Sequence, residues 1–169
     1  MEDELMDARL VLQGIKAAGI NLVASLPDQN LVDLIEMLEQ GTDPIHVPLA
    51  REEEGIGVAT GAYMAGGMPA VLMQNAGFLN ACNALTTTAL QFEVPMVLLI
   101  YYAGYLGDKA FMRLGEVTEP VLQGLKIRYF IPPDSQAATW MIPDAAVLAK
   151  CSYRPVAVLL TKYVLRRFK

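Results

Sequence analysis

The amino-acid sequence predicts an α/β protein built on a parallel sheet of about six strands, with helices on both faces. Short, almost purely apolar runs bounded by glycine or proline alternate along the chain with longer segments of helical periodicity. Such runs are typical of strands buried on both faces, and their alternation with helices favours a parallel sheet. Hydrophobic residues make up 54% of the chain and charged residues 18%, which supports a packed core. The predicted strands span 21–26, 45–49, 70–73, 94–101, 127–131 and 155–161.

The predicted helices fall between these strands, and glycine, proline and capping residues mark their ends. Pro143 leaves two starts open for the last helix, residue 137 or Asp144. Residues 102–114 contain Gly104 and Gly107 and are predicted to form a long functional loop. We interpret the chain as one domain over residues 1–169. The predicted helices span 4–18, 31–40, 52–66, 78–91, 115–124 and 137–149.

Composition and charge exclude several classes of function. The net charge is −5, and the only basic cluster is the C-terminal RRFK, so neither nucleic acid nor an anionic membrane is an expected partner. No apolar run reaches the roughly 20 residues of a membrane span, and the acidic N-terminus lacks an apolar signal core. Two cysteines, Cys82 and Cys151, make no disulfide framework, which predicts a reduced, cytoplasmic protein. His46 is the only histidine, so no metal site is expected, and a Ser–His–Asp triad would have to use it.

The helix predicted from residue 52 combines three consecutive acids with an unusual number of glycines. Acids suit a helix N-terminus, where free N–H groups favour negative charge. Gly55, Gly57 and Gly61, however, each cost about 1 kcal/mol relative to alanine inside a helix. A helix that accepts this cost has a nearly bare surface, which favours close contact with a ligand or another subunit.

The stretch REEEGIGVATGAYMAGGMPAVLMQNAGFLNACN, residues 51–83, resembles the pyrimidine-binding (PYR) domain of thiamine-diphosphate enzymes. The likeness is greatest to the alpha subunits of sulfopyruvate decarboxylases, with phosphonopyruvate decarboxylases next. These families share an acidic R-E-E-E-G-x-G run, a helix of small residues, and Q-N-x-G before a helix that bears asparagine. More distant members have a glutamate ten residues before a tyrosine, and counting back from Tyr63 selects Glu53.

The resemblance implies a chemistry for these residues. Glu53 would hydrogen-bond the aminopyrimidine ring of thiamine diphosphate and so activate the cofactor for decarboxylation of a 2-oxo acid. Glu52 and Glu54 are interpreted as solvated acids. Asp28 is either a substrate-binding residue or a helix cap, and the same two options hold for Asn80. The predicted cofactor-binding residues are Glu53, Pro27, Gln74, Asn75 and Gly77, and the predicted substrate-binding residues are Asp28, Gln74, Asn75 and Tyr102.

One departure from the family concerns the substrate. The sulfopyruvate and phosphonopyruvate enzymes read W-R-G after the central strand, where this chain reads Tyr102-Ala103-Gly104. The arginine that would bind a tetrahedral anion in a bidentate manner is therefore missing. Lys109 and Arg113 are the alternative cations, and both are equally compatible with a role as surface charges. The tyrosines at 101, 102 and 105 favour a less charged or aromatic substrate.

A second departure concerns the diphosphate. The family binds diphosphate and Mg²⁺ through G-D-G and an asparagine some twenty-five residues later. This chain has only Gly107-Asp108-Lys109 and no asparagine after Asn83. We therefore expect a partner beta subunit that carries the GDG…N motif and holds the Mg²⁺. Two alternatives remain: a flavodoxin-like flavin or nucleotide binder, although residues 25–29 offer no glycine for a phosphate, and a non-catalytic regulatory subunit.

Overall fold

The computed structural model describes residues 2–106 and 109–165. The strands are β1 (Leu22–Ser25), β2 (Ile45–Pro48), β3 (Pro69–Gln74), β4 (Met96–Tyr101), β5 (Arg128–Phe130) and β6 (Pro155–Leu160). All pair in parallel, in the order β2-β1-β3-β4-β6-β5. The predicted α/β fold class is confirmed; five predicted strands contain the observed ones, and the predicted strand 70–73 lies within the longer β3.

The helices connect successive strands. Those of α type are α1 (Glu2–Ala17), α2 (Val32–Gln40), α3 (Glu52–Met64), α4 (Asn75–Ala84), α5 (Met112–Gly124) and α6 (Ser135–Ser152). A π-helical segment, Leu85–Leu90, continues α4, and a 3₁₀ turn, Lys109–Phe111, precedes α5. In the described residues no helix is both long enough and apolar enough to cross a membrane.

The core lies on both faces of the sheet, as the continuous apolar strands predict. In β4 all six residues are buried, and alternate ones enter different cores: Val97 and Leu99 on one face, Leu98 and Ile100 on the other. Helices α1, α2 and α6 cover the first face, and α3, α4 and α5 cover the second. Helices therefore cover both faces of the sheet. In sheets of this kind, ligands bind at the carboxyl ends of the strands.

Two predicted loops are shorter than expected. The loop predicted at 74–77 is wrong, because β3 runs to Gln74 and α4 begins at Asn75. Gln74 has extended backbone angles and acts as the N-cap of α4, so one residue changes the chain from strand to helix. The predicted loop 102–114 also ends early, since α5 begins at Met112 rather than Gly115.

The alternative start of the last helix at Asp144 is wrong. Helix α6 begins at Ser135, where Asp134 Oδ1 accepts a hydrogen bond of 2.7 Å from Ala137 N. Pro143 lies inside the helix and removes one backbone donor. Close packing against α1 offsets this loss: a Cβ added at Gly14 would lie 2.7 Å from Ala138 O. Capping and packing thus keep the helix continuous through the proline.

Two sequence features fall outside the described residues. They are Gly107 and Asp108, which belong to the Gly-Asp-Lys sequence, and the C-terminal RRFK.

Candidate active site

The residues that follow β1 and β3 meet at the carboxyl edge of the sheet. Gln74 Nε2, at the end of β3, donates a hydrogen bond of 2.9 Å to Asp28 Oδ2. The other oxygen, Asp28 Oδ1, accepts from Asn30 N at 2.8 Å. The helix-cap interpretation of Asp28 is therefore wrong: the N-cap of α2 is Leu31, and Asp28 instead closes a local turn. Two of the roughly four acceptor positions of the carboxylate are used, so it can still contact a ligand.

A cleft of about 310 Å³ adjoins this pair. Pro27, Asp28 and Gln29 line it from the segment after β1, and Val32 and Ile35 line it from α2. Two predicted site residues, Pro27 and Asp28, thus lie on the wall of a concave surface at the carboxyl edge, where parallel sheets bind ligands.

The three acids of α3 occupy three different environments. Glu54 Oε2 accepts hydrogen bonds of 3.2 Å from the backbone nitrogens of Ala50 and Arg51, which caps the start of the helix. Glu52 packs against Gly77: a Cβ added at position 77 would lie 2.6 Å from Glu52 Cδ. Glu54 is therefore an exposed acid that caps α3, which agrees with its interpretation as a solvated acid, whereas Glu52 is half-buried against Gly77 of α4.

Glu53 differs from its two neighbours. Its Oε1 lies 2.7 Å from Arg51 Nη2, and its side chain is 31% exposed. Among the described residues Glu53 Oε2 has no hydrogen-bond partner. Glu53 is therefore the acid of the three whose carboxylate is oriented by an arginine, and its side chain stays partly exposed. This arrangement fits the role that the family resemblance implies for it.

Asn75 and Gly77 lie within the structure rather than against the open edge. Asn75 is fully buried, and its Nδ2 donates to Ala103 O at 2.8 Å and to Thr118 Oγ1 at 2.9 Å. These bonds join the start of α4 to the segment after β4 and to α5. The buried atom Asn75 Oδ1 has no partner among the described residues. Asn80 is exposed and lies six residues into α4, so its interpretation as a helix cap is wrong.

Tyr102 also directs its polar group inward. The side chain is 5% exposed, and its hydroxyl donates to Glu119 Oε1 at 2.9 Å and lies 3.1 Å from Gly115 O. Tyr129 OH donates to the other oxygen, Glu119 Oε2, at 2.7 Å. Burial and the neighbouring Glu119 carboxylate raise the pKa of Tyr102 well above its ordinary value. The neutral phenol is thus maintained as a donor within the structure.

Sequence reasoning missed Glu119 and Thr118. They lie on α5, far along the chain from the residues they contact, and no local motif marks them. Only the meeting of α4, α5 and the segment after β4 shows that they are needed as acceptors.

The position of the missing arginine is closed. Ala103 is 1% exposed and belongs to the core on the α1, α2 and α6 face. Of the two predicted substitutes, Arg113 is engaged with Glu116, its Nη1 lying 2.7 Å from Glu116 Oε2 at the surface. Lys109 is exposed on the 3₁₀ turn. Sequence reasoning did not consider Lys162, whose Nζ donates to Leu106 O at 2.7 Å.

His46 forms a pair with a serine. Its Nε2 lies 2.7 Å from Ser25 Oγ, across the β1–β2 pairing. Burial lowers the pKa of His46, and the nearby Glu39 carboxylate opposes this effect. Ser25 is 1% exposed, so its hydroxyl is not available to attack a substrate. The pair connects the edge strand to its neighbour.

In the described part of the chain, no group of three or more histidine, cysteine, aspartate or glutamate residues is arranged to hold a metal ion. Polar groups at the carboxyl edge of β1 and β3 include the Glu53 carboxylate on α3 and the Asp28–Gln74 pair. They suit an organic ligand that presents hydrogen-bonding ring atoms and a carbonyl group.

Fold and site together define an α/β ligand-binding domain whose site lies at the carboxyl edge of a six-stranded parallel sheet. Residues 7–105 match the family of the thiamine pyrophosphate enzyme N-terminal TPP-binding domain. The chain belongs to this family. The resemblance predicted from residues 51–83 is thereby confirmed.

The relatives are similar along most of their length. The chain is 38% identical over 152 residues to the sulfopyruvate decarboxylase subunit alpha of Methanococcus maripaludis. The aligned region covers 89% of this chain and 91% of that protein. It is 36% identical to the subunit of the same name from Methanothermobacter thermautotrophicus, with 89% and 92% covered.

A solved structure shares the fold. The 2-oxoglutarate:ferredoxin oxidoreductase from Magnetococcus marinus matches 94% of this chain with a TM-score of 0.72 and 18% identity. The chain spans 29% of that longer protein chain. The likeness supports the architecture alone.

Proposed function

We propose that this chain is the alpha subunit of a two-subunit, thiamine-diphosphate-dependent decarboxylase of 2-oxo acids. The observation that carries the proposal is Glu53: an oriented, half-buried carboxylate on the first turn of α3, with one oxygen left free. Family membership supports the cofactor, and the names of the relatives support both the reaction and the existence of a partner.

Glu53 is proposed to bind the aminopyrimidine ring of the cofactor. When bound, thiamine diphosphate supplies the electron sink that makes loss of carbon dioxide from a 2-oxo acid feasible. Arg51 fixes one carboxylate oxygen of Glu53, so the other can share a proton with a ring nitrogen. A partner chain that covers this edge would exclude water and strengthen that hydrogen bond.

Asp28 and Gln74 are proposed to contact the substrate. Their mutual hydrogen bond orients both side chains at the carboxyl edge beside the 310 Å³ cleft. Gln74 would orient a substrate oxygen through its amide, and Asp28 would hold a proton near the reacting carbon. Pro27, on the wall of the same cleft, would contact the cofactor.

We propose a supporting role for three residues beneath this surface, Asn75, Gly77 and Tyr102. Gly77 lets Glu52 pack on α4, and the hydrogen bonds of Asn75 and Tyr102 fix α4 and α5 relative to β4. They would determine where the ligand-contacting groups lie.

The partner is proposed to be a beta subunit that carries the GDG…N motif and holds Mg²⁺ and the diphosphate. Gly57 and Gly61 on α3 meet open space, and Met64 on the same helix is 68% exposed. This bare helix is the surface we propose for the contact between subunits. We place the complex in the cytoplasm because both cysteines, Cys82 and Cys151, are free thiols.

A titration of the purified chain and of its complex tests this proposal. The chain alone should bind thiamine diphosphate weakly in the presence of Mg²⁺ and should not turn over, because the metal and charge-assisted contacts to the diphosphate are missing. The chain co-purified with its natural partner should bind the cofactor and decarboxylate at least one member of a panel of 2-oxo acids. Micromolar binding by the single chain, or a complex that decarboxylates none of them, would contradict the proposal. A yellow, flavin-bearing protein would favour the flavodoxin-like alternative.

A further inference from the structure

The edge of the sheet at β5 carries a second cavity, the edge cavity, of about 540 Å³. Within the described residues β5 pairs with β6 alone, so its outer side is not covered by a strand. Ile127 and Tyr129 line the cavity and pack with the core beneath α3, α4 and α5. Phe130 and Leu148 also line it, and they pack with the core on the other face. The edge cavity therefore curves round the edge of the sheet.

Three of its side chains give the edge cavity an apolar wall. Ile127 is 2% exposed, and Phe130 and Leu148 are half-buried against the core. The volume lies within the range of about 300–1,000 Å³ that is typical of small-molecule sites. This wall can therefore bury the apolar body of a small organic molecule.

Two cations, Lys126 and Arg128, line the same cavity. Both are exposed, and within residues 2–106 and 109–165 neither has a carboxylate within 4.0 Å. Glu119, which contacts the cavity wall, is already bonded to Tyr102 and Tyr129. The chain as a whole has a net charge of −5, so two unpaired cations around one apolar cavity form a local site for an anion.

The backbone at Lys126 is unusual for a lysine. Lys126 has a φ of 55°, in the left-handed region. Its nitrogen donates to Gln123 O at 3.0 Å, and Ile127 N donates to Leu122 O at 2.9 Å, which are the two bonds of a Schellman motif at the end of α5. A cation suits a helix C-terminus, but glycine is usual at this left-handed position because a side chain is strained there. The strain is therefore accepted at a residue whose side chain lines the cavity.

Hydrogen bonds order the polar wall of the cavity before any ligand binds. Gln123 Nε2 donates to Tyr129 OH at 3.1 Å, and Tyr129 OH donates to Glu119 Oε2 at 2.7 Å. The hydrogen bond to Glu119 raises the pKa of Tyr129, so the phenol stays neutral and does not repel an anion. A wall that is already ordered loses less conformational entropy on binding.

We propose that the edge cavity binds a small amphiphilic organic anion. Lys126 and Arg128 bind its acidic group, and the guanidinium can hold a carboxylate in a bidentate manner. Ile127, Phe130 and Leu148 bury its aromatic or branched aliphatic body. No lysine or arginine lines the cleft of about 310 Å³ at the carboxyl edge, so the two cavities select different ligands. The inference does not depend on the proposed decarboxylase function.

Calorimetric titration of the full chain with 2-naphthoate tests this inference. This probe carries both parts of the ligand, whereas acetate carries only the acid and 2-naphthol only the apolar body. 2-Naphthoate should bind more tightly than either by about 10-fold or more, because both walls contribute.

Variants at the cations show whether the edge cavity is the site. Lys126→Gln and Arg128→Gln should each weaken binding of 2-naphthoate by about 5- to 10-fold, since water screens exposed charges. Lys150→Gln removes an exposed cation of α6 outside the cavity and should leave the affinity unchanged. Backbone amide chemical shifts should change at residues 126–130 and 148 when the probe binds.

Several outcomes would overturn the inference. No measurable binding of 2-naphthoate, or equal binding by the wild type and both cavity variants, would contradict it. Equal affinity for 2-naphthol would show that the cations are only surface charges. Shift changes confined to Asp28 and Gln74 would assign the probe to the carboxyl edge instead. A hexaglutamate peptide that binds as tightly as 2-naphthoate, with the same loss in Arg128→Gln, would show that the cavity recognises an acidic protein segment rather than a small amphiphilic anion.

Discussion

The carboxyl edge of the sheet has two halves that use polar side chains in opposite ways. Over β1 and β3, Asp28, Gln74 and Glu53 keep polar groups at the surface and orient one another or a neighbouring arginine. Between β4 and α5, Asn75 and Tyr102 turn their polar groups inward to backbone carbonyls and to α5.

The difference shows how such a site is divided between contact and support. Groups in the first half have unused acceptor or donor capacity and are free to meet a ligand. Groups in the second half are buried and their donors are satisfied, so they hold the helices that carry the first half. The sequence predicted ligand contacts for Asn75, Gly77 and Tyr102, and in the structure the side chains of Asn75 and Tyr102 are buried.

Among variants at Asp28, Asn75 and Tyr102, the largest expected effect on kcat/KM comes from Asp28. Asp28→Asn keeps an acceptor for Gln74 but removes the carboxylate, so kcat/KM of the complex should fall by about 10²-fold or more. The free energy of unfolding should fall by about 0.5–1.5 kcal/mol, because the amide keeps only one of the two acceptor oxygens that bond Asn30 N and Gln74 Nε2. Steady-state kinetics and urea unfolding of the same preparation check both values. Activity equal to wild type would remove Asp28 from the contacting half.

Asn75 should show the opposite pattern. Asn75→Leu leaves the buried Ala103 carbonyl without its donor, and the free energy of unfolding should fall by about 1–3 kcal/mol. The exposed Asn80 on the same helix is the matched control, and Asn80→Leu should change stability by less than about 0.5 kcal/mol. Urea denaturation of the isolated chain measures both. Equal stability of the two variants would show that Asn75 is not a support.

The smallest expected effect comes from Tyr102, and it is a dependence of the free energy of unfolding on pH. The pKa of Tyr102 is raised in the folded state. Its contribution to the free energy of unfolding is therefore fully present below its unfolded pKa of about 10 and is lost as the pH rises above that value. The unfolded tyrosine loses its proton there while the folded one keeps it. Between about pH 10 and 12, the unfolding free energy of the wild type should fall more steeply than that of Tyr102→Phe, by up to about 1.4 kcal/mol per pH unit. Parallel slopes would contradict the inward role of Tyr102.

The fold was predictable because it depends on local and repetitive signals. The apolar runs of strands such as β4 and the glycines and prolines between elements lie within a few residues of what they determine. The errors arose where one residue performs two tasks or where packing overrides propensity. Gln74 ends β3 and also occupies the N-cap position of α4, and Pro143 is tolerated because α6 packs closely on α1.

The site was predictable only in part, for a related reason. The order of elements implies that Asp28 and Gln74 share an edge, since both follow parallel strands. Which way a side chain points depends on distant residues: Glu119 draws Tyr102 inward, and Thr118 draws Asn75. The burial of Ala103 and the position of Lys162 depend likewise on the packing of β4 against β6 and were not visible in the sequence.

The central claim, that Glu53 activates the cofactor, has a direct measurement. In the complex loaded with thiamine diphosphate and Mg²⁺, the rate of hydrogen–deuterium exchange at C2 of the cofactor reports activation before any substrate binds. Glu53→Gln should fold normally and slow this exchange by about 10²–10⁴-fold, the usual loss of an acid–base group. Glu52→Gln, one residue away, should leave the exchange close to that of the wild type. An unchanged rate in Glu53→Gln, or an equal loss in Glu52→Gln, would contradict the assignment of Glu53.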